Sequence, residues 1–230
     1  DASTEYYSAA KARLERLRLR KERNTLEMTI KLQGTMTSYN DAWAATKGGD
    51  NAISVLGSFN MVHTYKKNTF SNNTQINAKY GYNRLRVDTE EGDRKGVWFK
   101  NIDEFWAQVQ PKLALNDRWS YTALAKFRSQ FSNSYKSATE QEDEHLKSGF
   151  MAPGYLDFSL GMDFASKNAK FPIKISFFPL SGNAVIAKNS QVEANFRGRG
   201  ETSWFGIDID RQILFTGGSS IKLEFARGWG

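Results

Sequence analysis

Cysteine is absent from this chain of 230 residues, so it holds no disulfide framework, no thiolate metal site and no cysteine nucleophile. Histidine is nearly absent: His63 and His145 are the whole supply, which leaves no evident Ser/His/Asp or metal-ligand constellation. No apolar run reaches about 18 residues, which excludes a spanning helix but not a spanning barrel. There is no basic start followed by an apolar core, so Asp1-Ala2-Ser3-Thr4-Glu5 reads as a mature N-terminus whose export signal has been removed. The mean hydropathy of -0.59 is low, as expected of a barrel with a polar lumen and hydrophilic loops.

What the chain has in quantity is alternation. Leu26, Met28, Ile30, Leu32, Gly34 and Met36 hold one parity while Glu27, Thr29, Lys31, Gln33 and Thr35 hold the other, the pattern of a half-buried strand. It recurs over Ile53 to Tyr65, Phe70 to Tyr82, Phe105 to Leu113, Trp119 to Phe131, Leu156 to Phe164, Phe171 to Phe177, Phe205 to Phe215 and Ile221 to Phe225. Several of these stretches approach the ~9–11 residues a tilted strand needs to cross a bilayer. Lys66-Lys67-Asn68, Asn116-Asp117, Lys167 to Lys170 and Thr216-Gly217-Gly218-Ser219 read as tight turns. The remaining connections, Asn40 to Asp50, Asp88 to Lys95, Ser132 to Pro153 and Leu180 to Thr202, are longer and polar, Gly-rich or charged. Short and long connections in alternation predict an all-β, antiparallel up-and-down transmembrane barrel of about 9–12 strands. The predicted division is a tail over residues 1–25 and a barrel over 26–230.

The net charge of +7 is concentrated. Lys11, Arg13, Arg16, Arg18, Arg20, Lys21 and Arg23 face only Glu15 and Glu22 in the same segment. Tyr7, Ala10, Leu14 and Leu17 fall three or four apart, predicting a short amphipathic helix over residues 5–23. Such a helix reads either as a solvated periplasmic tail or as a docking element, plugging the barrel mouth, contacting an acidic partner or lying against anionic headgroups. Nucleic acid is not expected, because no aromatic platform or binding motif accompanies the charge.

If the apolar parity faces lipid, the other parity lines the interior. It carries Lys31, Gln33, Gln75, Asn77, Lys79, Glu104, Gln108, Gln110, Lys112, Lys126, Arg128, Gln130, Asp157, Asp163, Lys174, Asp208, Asp210, Lys222 and Glu224. A selective pore is usually ringed by one sign, whereas mixed signs pair across a narrow lumen and fill it. Trp43, Trp98, Trp119, Trp204 and Trp229 lie near predicted strand ends, as an interfacial girdle requires, and Trp106 lies mid-strand. Tyr39, Tyr65, Phe70, Tyr82, Phe131 and Phe164 follow the same rule. His63 breaks the apolar parity near a strand end, Arg211 breaks it mid-strand, and Pro111 falls inside a strand; the last two predict a bulge, a partner contact or an edge.

Candidate chemistry is sparse. Glu140, Glu142, Asp143 and Glu144 beside His145 match no calcium loop and read as a solvated external loop. Asp208 and Asp210 form a carboxylate pair without a base, better suited to a lumen ion pair. Gly198-Arg199-Gly200 and Gly217-Gly218 are loop glycines without a phosphate-loop context. No catalytic, cofactor-binding or metal-binding residues are assigned, and no cofactor is expected.

Asp41-Ala42-Trp43 followed by Gly48-Gly49-Asp50-Asn51-Ala52-Ile53-Ser54 resembles the opening of a Bacteroidota outer-membrane barrel family known only as a domain of unknown function. Lys100-Asn101-Ile102-Asp103, Trp119-Ser120-Tyr121, Phe127-Arg128-Ser129-Gln130-Phe131, Phe150 to Leu156, Leu160-Gly161 and Phe178-Pro179-Leu180-Ser181-Gly182 are similar to its later landmarks. The spacing of Asp41 from Trp43 and the extra Thr46-Lys47 depart from that opening. The resemblance spans roughly residues 26–230; it implies an outer-membrane location and brings no activity.

Nine strands starting from a periplasmic helix would end the chain outside, at Trp229-Gly230, whereas such barrels usually have an even count. Either residues 180–202 conceal an odd strand or closing strands are missing; the resemblance implies the latter, since members of that family continue with further strands, and a break or processing site after Gly230 is then expected. The expected function is a non-enzymatic outer-membrane scaffold or accessory subunit of an envelope assembly. Its partners would be outer-membrane lipid, lipopolysaccharide and, through the basic helix, other outer-membrane or periplasmic proteins. The alternatives are a small-solute pore and a soluble β-sandwich that binds glycans.

Overall fold

The computed structural model describes residues 2–38, 52–88, 94–167 and 172–225. Helix α1 (Ala2–Arg23) runs directly into strand β1 (Asn24–Thr37). The junction is fixed by Asn24, whose side-chain amide donates to the Arg20 carbonyl at 2.7 Å while its oxygen sits 3.1 Å from His63 Nε2. Then follow β2 (Ala52–Lys67), β3 (Phe70–Asp88), β4 (Arg94–Ala114), β5 (Trp119–Ser129), the short β6 (Ser134–Tyr135) and β7 (Leu146–Ser148), and β8 (Gly154–Ala165). The chain continues through β9 (Ile173–Ile186), helix α2 (Ser190–Gly198), the short β10 (Ser203–Trp204) and β11 (Ile207–Asp208), and β12 (Ile213–Phe225).

The long strands form one eight-stranded antiparallel sheet in the order β1-β2-β3-β4-β5-β8-β9-β12. It is an up-and-down meander, as the sequence predicts, with an N-terminal helix. β1 and β12 are its two edges, and the sheet is not closed into a barrel.

The predicted strand count is corrected from nine to eight. Phe205 to Phe215 and Ile221 to Phe225 do not form two strands joined by a glycine turn; residues 213–225 are one strand. The reason lies in β9, which does not stop at Phe177 but runs on to Ile186 and offers a partner to the whole length of β12, including Thr216↔Asn183 and Gly217↔Gly182. Pro179 suggests a strand end by sequence, but it sits where the registers with both β8 and β12 shift, and a bulge is a place where a strand tolerates proline. Gly161 of β8 lies against this bulge, and a Cβ there would be 2.0 Å from the Phe177 carbonyl oxygen.

An even count brings Phe225, paired with Ile173, back to the rim where β1 starts opposite Tyr65. The expectation that the last strand ends at the far rim is overturned, and with it the odd count that pointed to a break after Gly230. The described connections 68–69 and 115–118 lie at this near rim, and 130–153 and 187–212 at the far rim. The alternation of lengths is not strict, since five residues separate β3 from β4 and seven separate β8 from β9. Asn116 shapes one near-rim turn by accepting from the Arg118 and Trp119 amides, and Lys167 pairs with Asp117 across two turns. Lys167 holds that carboxyl below its ordinary range.

Pro111 is also corrected. It lies neither at an edge nor at a bulge but in interior strand β4, opposite Asn72. The β4–β5 pairing stops at Val109↔Ala125 and resumes in the same register at Lys112↔Thr122, so the missing N–H interrupts the ladder without displacing it.

The registers give the sheet two chemically distinct faces. One carries Leu26, Ile30, Phe59, Met61, Ile76, Val109, Phe127, Leu156, Leu160, Phe177, Leu180, Phe215 and Leu223. On it Gly182 lies between Phe158 and Phe215, whose rings stack at 5.6 Å over the glycine. Large apolar side chains on this face stay exposed, Leu160 at 52% and Ile221 at 72%. The opposite face is polar, yet it carries Thr122 at 1%.

Gly161→Ala is expected to lower stability by roughly 1–3 kcal/mol, the usual cost of overpacking, because the obstructing atoms are backbone. Denaturant titration by circular dichroism measures it; an unchanged midpoint would show that the bulge can relax.

Candidate functional site

The fully buried apolar side chains lie mostly outside the long sheet. Residues 130–153 and 187–212, which take in most of the long connections expected at Ser132 to Pro153 and Leu180 to Thr202 and part of the strand expected at Phe205 to Phe215, fold against one another at the far rim. Leu146, Ala187, Val192, Trp204, Ile207 and Ile209 form a buried cluster, with Tyr135, Val185, Phe196, Phe205 and Leu214 packed around it. Asn189 caps α2 by accepting from the Gln191 and Val192 amides at 3.1 and 3.0 Å. Asn195 then ties the helix to the other loop, donating to the carbonyls of Asp143 at 2.7 Å and Leu146 at 3.0 Å. Trp204 is 1% exposed and its indole N–H donates to the Arg211 carbonyl at 3.1 Å.

Several sequence expectations are corrected by this module. Trp204 is a core anchor, not an interfacial girdle residue. Arg211 lies ahead of β12 and not mid-strand. Asp208 ends β11 and Asp210 lies in the turn that follows, where an Asp208 oxygen accepts the Asp210 amide at 3.0 Å; they do not share the polar face of the sheet. Asp210 instead pairs with Arg197 of α2 at 2.8 Å, and Glu193 with the same guanidinium at 3.0 Å, which together raise that guanidinium above its ordinary value.

Between β7 and the end of α2 lies a groove of about 740 Å³ whose lining includes Lys136, His145, Lys147, Phe196, Arg199 and Glu201. Arg199 stacks over the Phe196 ring at 4.4 Å and pairs with Glu201 at 2.7 Å. These groups can stack and hydrogen-bond a polar surface. Among the described residues no group of three or more His, Asp or Glu could hold a metal ion. The acidic run beside His145 forms the single-turn helix Asp143–His145, and Glu140 accepts from Ser137.

A second cluster anchors this module to the sheet. Lys100 and Asp103 of β4 pair at 2.6 Å, with side chains only 9% and 1% exposed. Asp103 also accepts from the backbone amides of Phe131 and Ser132, at 2.8 and 3.0 Å, and from the Ser132 hydroxyl at 3.1 Å. Lys100 donates to the Ser132 carbonyl at 2.8 Å, and Tyr80 bonds the Ser132 and Tyr82 hydroxyls at 2.9 and 3.0 Å. A buried ion pair is tolerable when its remaining valences are filled in this way. Its location is set by a register shift of β4 opposite Gly81 and Tyr82.

Most of the residues expected on the polar parity do share one face of the sheet. Lys31, Gln33, Gln75, Asn77, Lys79, Glu104, Gln108, Gln110, Lys112, Lys126, Arg128, Asp157, Asp163, Lys174, Lys222 and Glu224 share it by register. Opposite signs pair: Lys79 with Glu104 at 3.5 Å, Arg128 with Asp157 at 3.4 Å, Lys222 with Glu224, and Lys112 with Asp163 across the intervening β5. Asn183 adds a 2.6 Å bond to Asp157, and Lys126 lies over the Trp106 ring at 4.5 Å.

The aromatic residues near strand ends fall into two groups on the apolar face. At the near rim Tyr65 meets Phe70 at 6.1 Å and Trp119 meets Phe164 at 5.0 Å. At the far rim Tyr80, Tyr82, Phe105 and Phe131 make contacts of 5.2–6.3 Å; Trp98 is exposed beyond them. Between the two groups this face carries no Lys, Arg, Asp or Glu among the described residues. Its polar break is His63, Asn72 and Thr74, near the α1 junction. Tyr39, Trp43, Phe171 and Trp229 lie outside the described residues, as does the segment 41–51 that carries the first family landmark.

Residues 35–135 match the model of a family described as a protein of unknown function (DUF3078). The match covers the end of β1 through β6 and stops before the landmarks at 150–182. No curated protein matches the chain, and no solved structure does.

Two substitutions separate the module from its anchor. Trp204→Ala should cost about 3–5 kcal/mol, as large core truncations do, and open residues 187–212 to limited proteolysis while the strand signal in circular dichroism persists. Asp103→Ala, which strands a buried lysine, should cost about 3–5 kcal/mol and release the 130–153 segment; equal protease resistance in wild type and variant would show that the pair holds nothing down.

Proposed function

We propose that this chain is an integral outer-membrane protein whose sheet curls with its polar face inward to form the wall of a barrel. It acts as a non-enzymatic scaffold or accessory subunit of an envelope assembly. The observation that carries the reading is the uncovered apolar face of the sheet. A soluble sheet covers its apolar face and wets its polar one; here the apolar face is exposed on strand after strand, while the polar face holds the paired charges.

The dimensions agree. From Phe70 to Tyr80, β3 rises about 33 Å at ~3.3 Å per residue, and a tilt of about 40° reduces this to roughly 25 Å, the height of the apolar band in outer-membrane barrels. Aromatic rings bound that interval at both ends, as interfacial girdles do. No described helix is long and apolar enough to cross a membrane, so strands would do the crossing. The resemblance to a Bacteroidota outer-membrane family points to the same membrane. The ion pairs on the polar face favour a filled interior over a wide pore, and the module at the far rim supplies a folded surface for partners.

The absence of cysteine makes a direct test available. In lipid nanodiscs, a fluorophore on Leu160→Cys should be quenched by lipid-borne quenchers and spared by aqueous ones, with the reverse at Lys126→Cys. Purification without detergent as a monodisperse, water-exposed species would sink the proposal, and large steady conductance in planar bilayers would turn it into a pore.

A further inference from the structure

α1 is 22 residues long, about 33 Å at 1.5 Å per residue. It packs against the sheet mainly through β1 and β2 near the Asn24 junction, and its large apolar side chains are exposed: Tyr6 78%, Tyr7 72%, Leu14 68% and Leu17 53%. At 3.6 residues per turn, Tyr6, Tyr7, Ala10, Leu14 and Leu17 share one stripe over the first four turns; Lys21 takes its place in the last turn, and Leu19 lies on the opposite face. Arg13 and Arg20 border that stripe on one side, Lys11 and Arg18 on the other, while Glu5, Glu15 and Glu22 turn away from it. An apolar stripe flanked by cations on both sides is the pattern of a helix lying in a membrane interface.

The location fits the same occupant. α1 leaves the sheet at the near rim, beside Tyr65, Arg23 and Asn24, level with the aromatic group of Tyr65, Phe70, Trp119 and Phe164. On the reading above, that group marks the boundary between acyl chains and headgroups. A helix emerging there meets headgroups first.

We propose that α1 lies along the near-rim leaflet and binds its anionic phospholipid headgroups, with Tyr6, Tyr7, Leu14 and Leu17 entering the acyl boundary and the flanking Arg and Lys side chains reaching the phosphates. This rests on the barrel reading and adds a lipid preference to it. Each cation near a charged surface strengthens partitioning about fivefold, so removing three should weaken the association on the order of a hundredfold. Salt should weaken it further, because the Debye length shrinks to about 3 Å at 1 M.

The test uses the whole chain in nanodiscs, with an environment-sensitive fluorophore on Leu14→Cys, on Glu15→Cys and, as a control for the sheet, on Leu160→Cys. The expected result is blue-shifted emission at Leu14 in nanodiscs containing phosphatidylglycerol, lost in phosphatidylcholine alone, in high salt, or when Arg13, Arg18 and Arg20 are all changed to Gln. Glu15 should remain water-exposed throughout. A lipid-exposed Leu160 with a water-exposed Leu14 in anionic nanodiscs would overturn the helix proposal and leave the barrel reading standing. A water-exposed Leu160 would bring down both. Equal blue shifts at Leu14 in both lipids would mean that the stripe packs on the chain's own rim or enters lipid without reading charge, and would also overturn it.

Discussion

Everything in this molecule depends on side-chain alternation being kept in phase across eight hydrogen-bonded strands. In a pleated ladder the period is two, so a slip of one residue sends a whole strand's apolar set to the wrong face. The chain keeps phase even where the ladder is irregular. In β9 the apolar positions are Ile173, Ile175 and Phe177 before Pro179, and Leu180, Gly182, Ala184 and Ile186 after it. The parity changes from odd to even at the point where both registers shift. The extra residue in the backbone and the phase jump in the sequence cancel, and the apolar face stays continuous.

That continuity produces two environments in one chain. On the sheet, apolar side chains face outward and acids and bases pair on the opposite side. In the far-rim module the order is the usual one for water, with Trp204, Ile207 and Val192 inside and Arg197, Arg199 and Glu201 outside. The same chain therefore obeys opposite burial rules within a short distance. The Lys100, Asp103, Ser132 and Tyr80 cluster is the join between them, and its density of hydrogen bonds suits a place where neither an apolar nor an aqueous surrounding satisfies polar groups.

Much of the sheet was legible because period-two patterning survives without tertiary context. The strands from Leu26, Ile53, Phe70, Trp119 and Leu156 and the shared polar face all follow from it, and the basic helix follows from apolar residues three or four apart. Three features were not. Pro179 and the Gly217-Gly218 pair are strong local turn signals that the neighbouring strands override, and this turned one long strand pairing into an apparent extra hairpin. The module at the far rim is built from strands of two or three residues and a short helix, too brief to show a period, with its core residues spread over two distant loops. The Lys100–Asp103 pair looks like ordinary surface charge in sequence; only the return of Ser132 over it reveals the burial. Trp204 was the available signal, a large ring in a polar loop, but a girdle reading absorbed it.

The location of that ion pair has a consequence for how the protein would ride in a bilayer. Lys100 and Asp103 lie on the apolar face, just past the far-rim aromatic rings, and beyond them on the same face come Arg84 and Arg86. Moving the sheet farther toward the near rim would drag this charge from the water boundary into hydrocarbon. In the other direction, Lys67 and the first turn of cations on the near side resist in the same way. On the proposed membrane reading, the two sets of charge would act as stops at either end of an otherwise smooth surface, and immersion depth would be set by the fold rather than by the bilayer. In a membrane of unmatched thickness, the lipid would be the component that deforms.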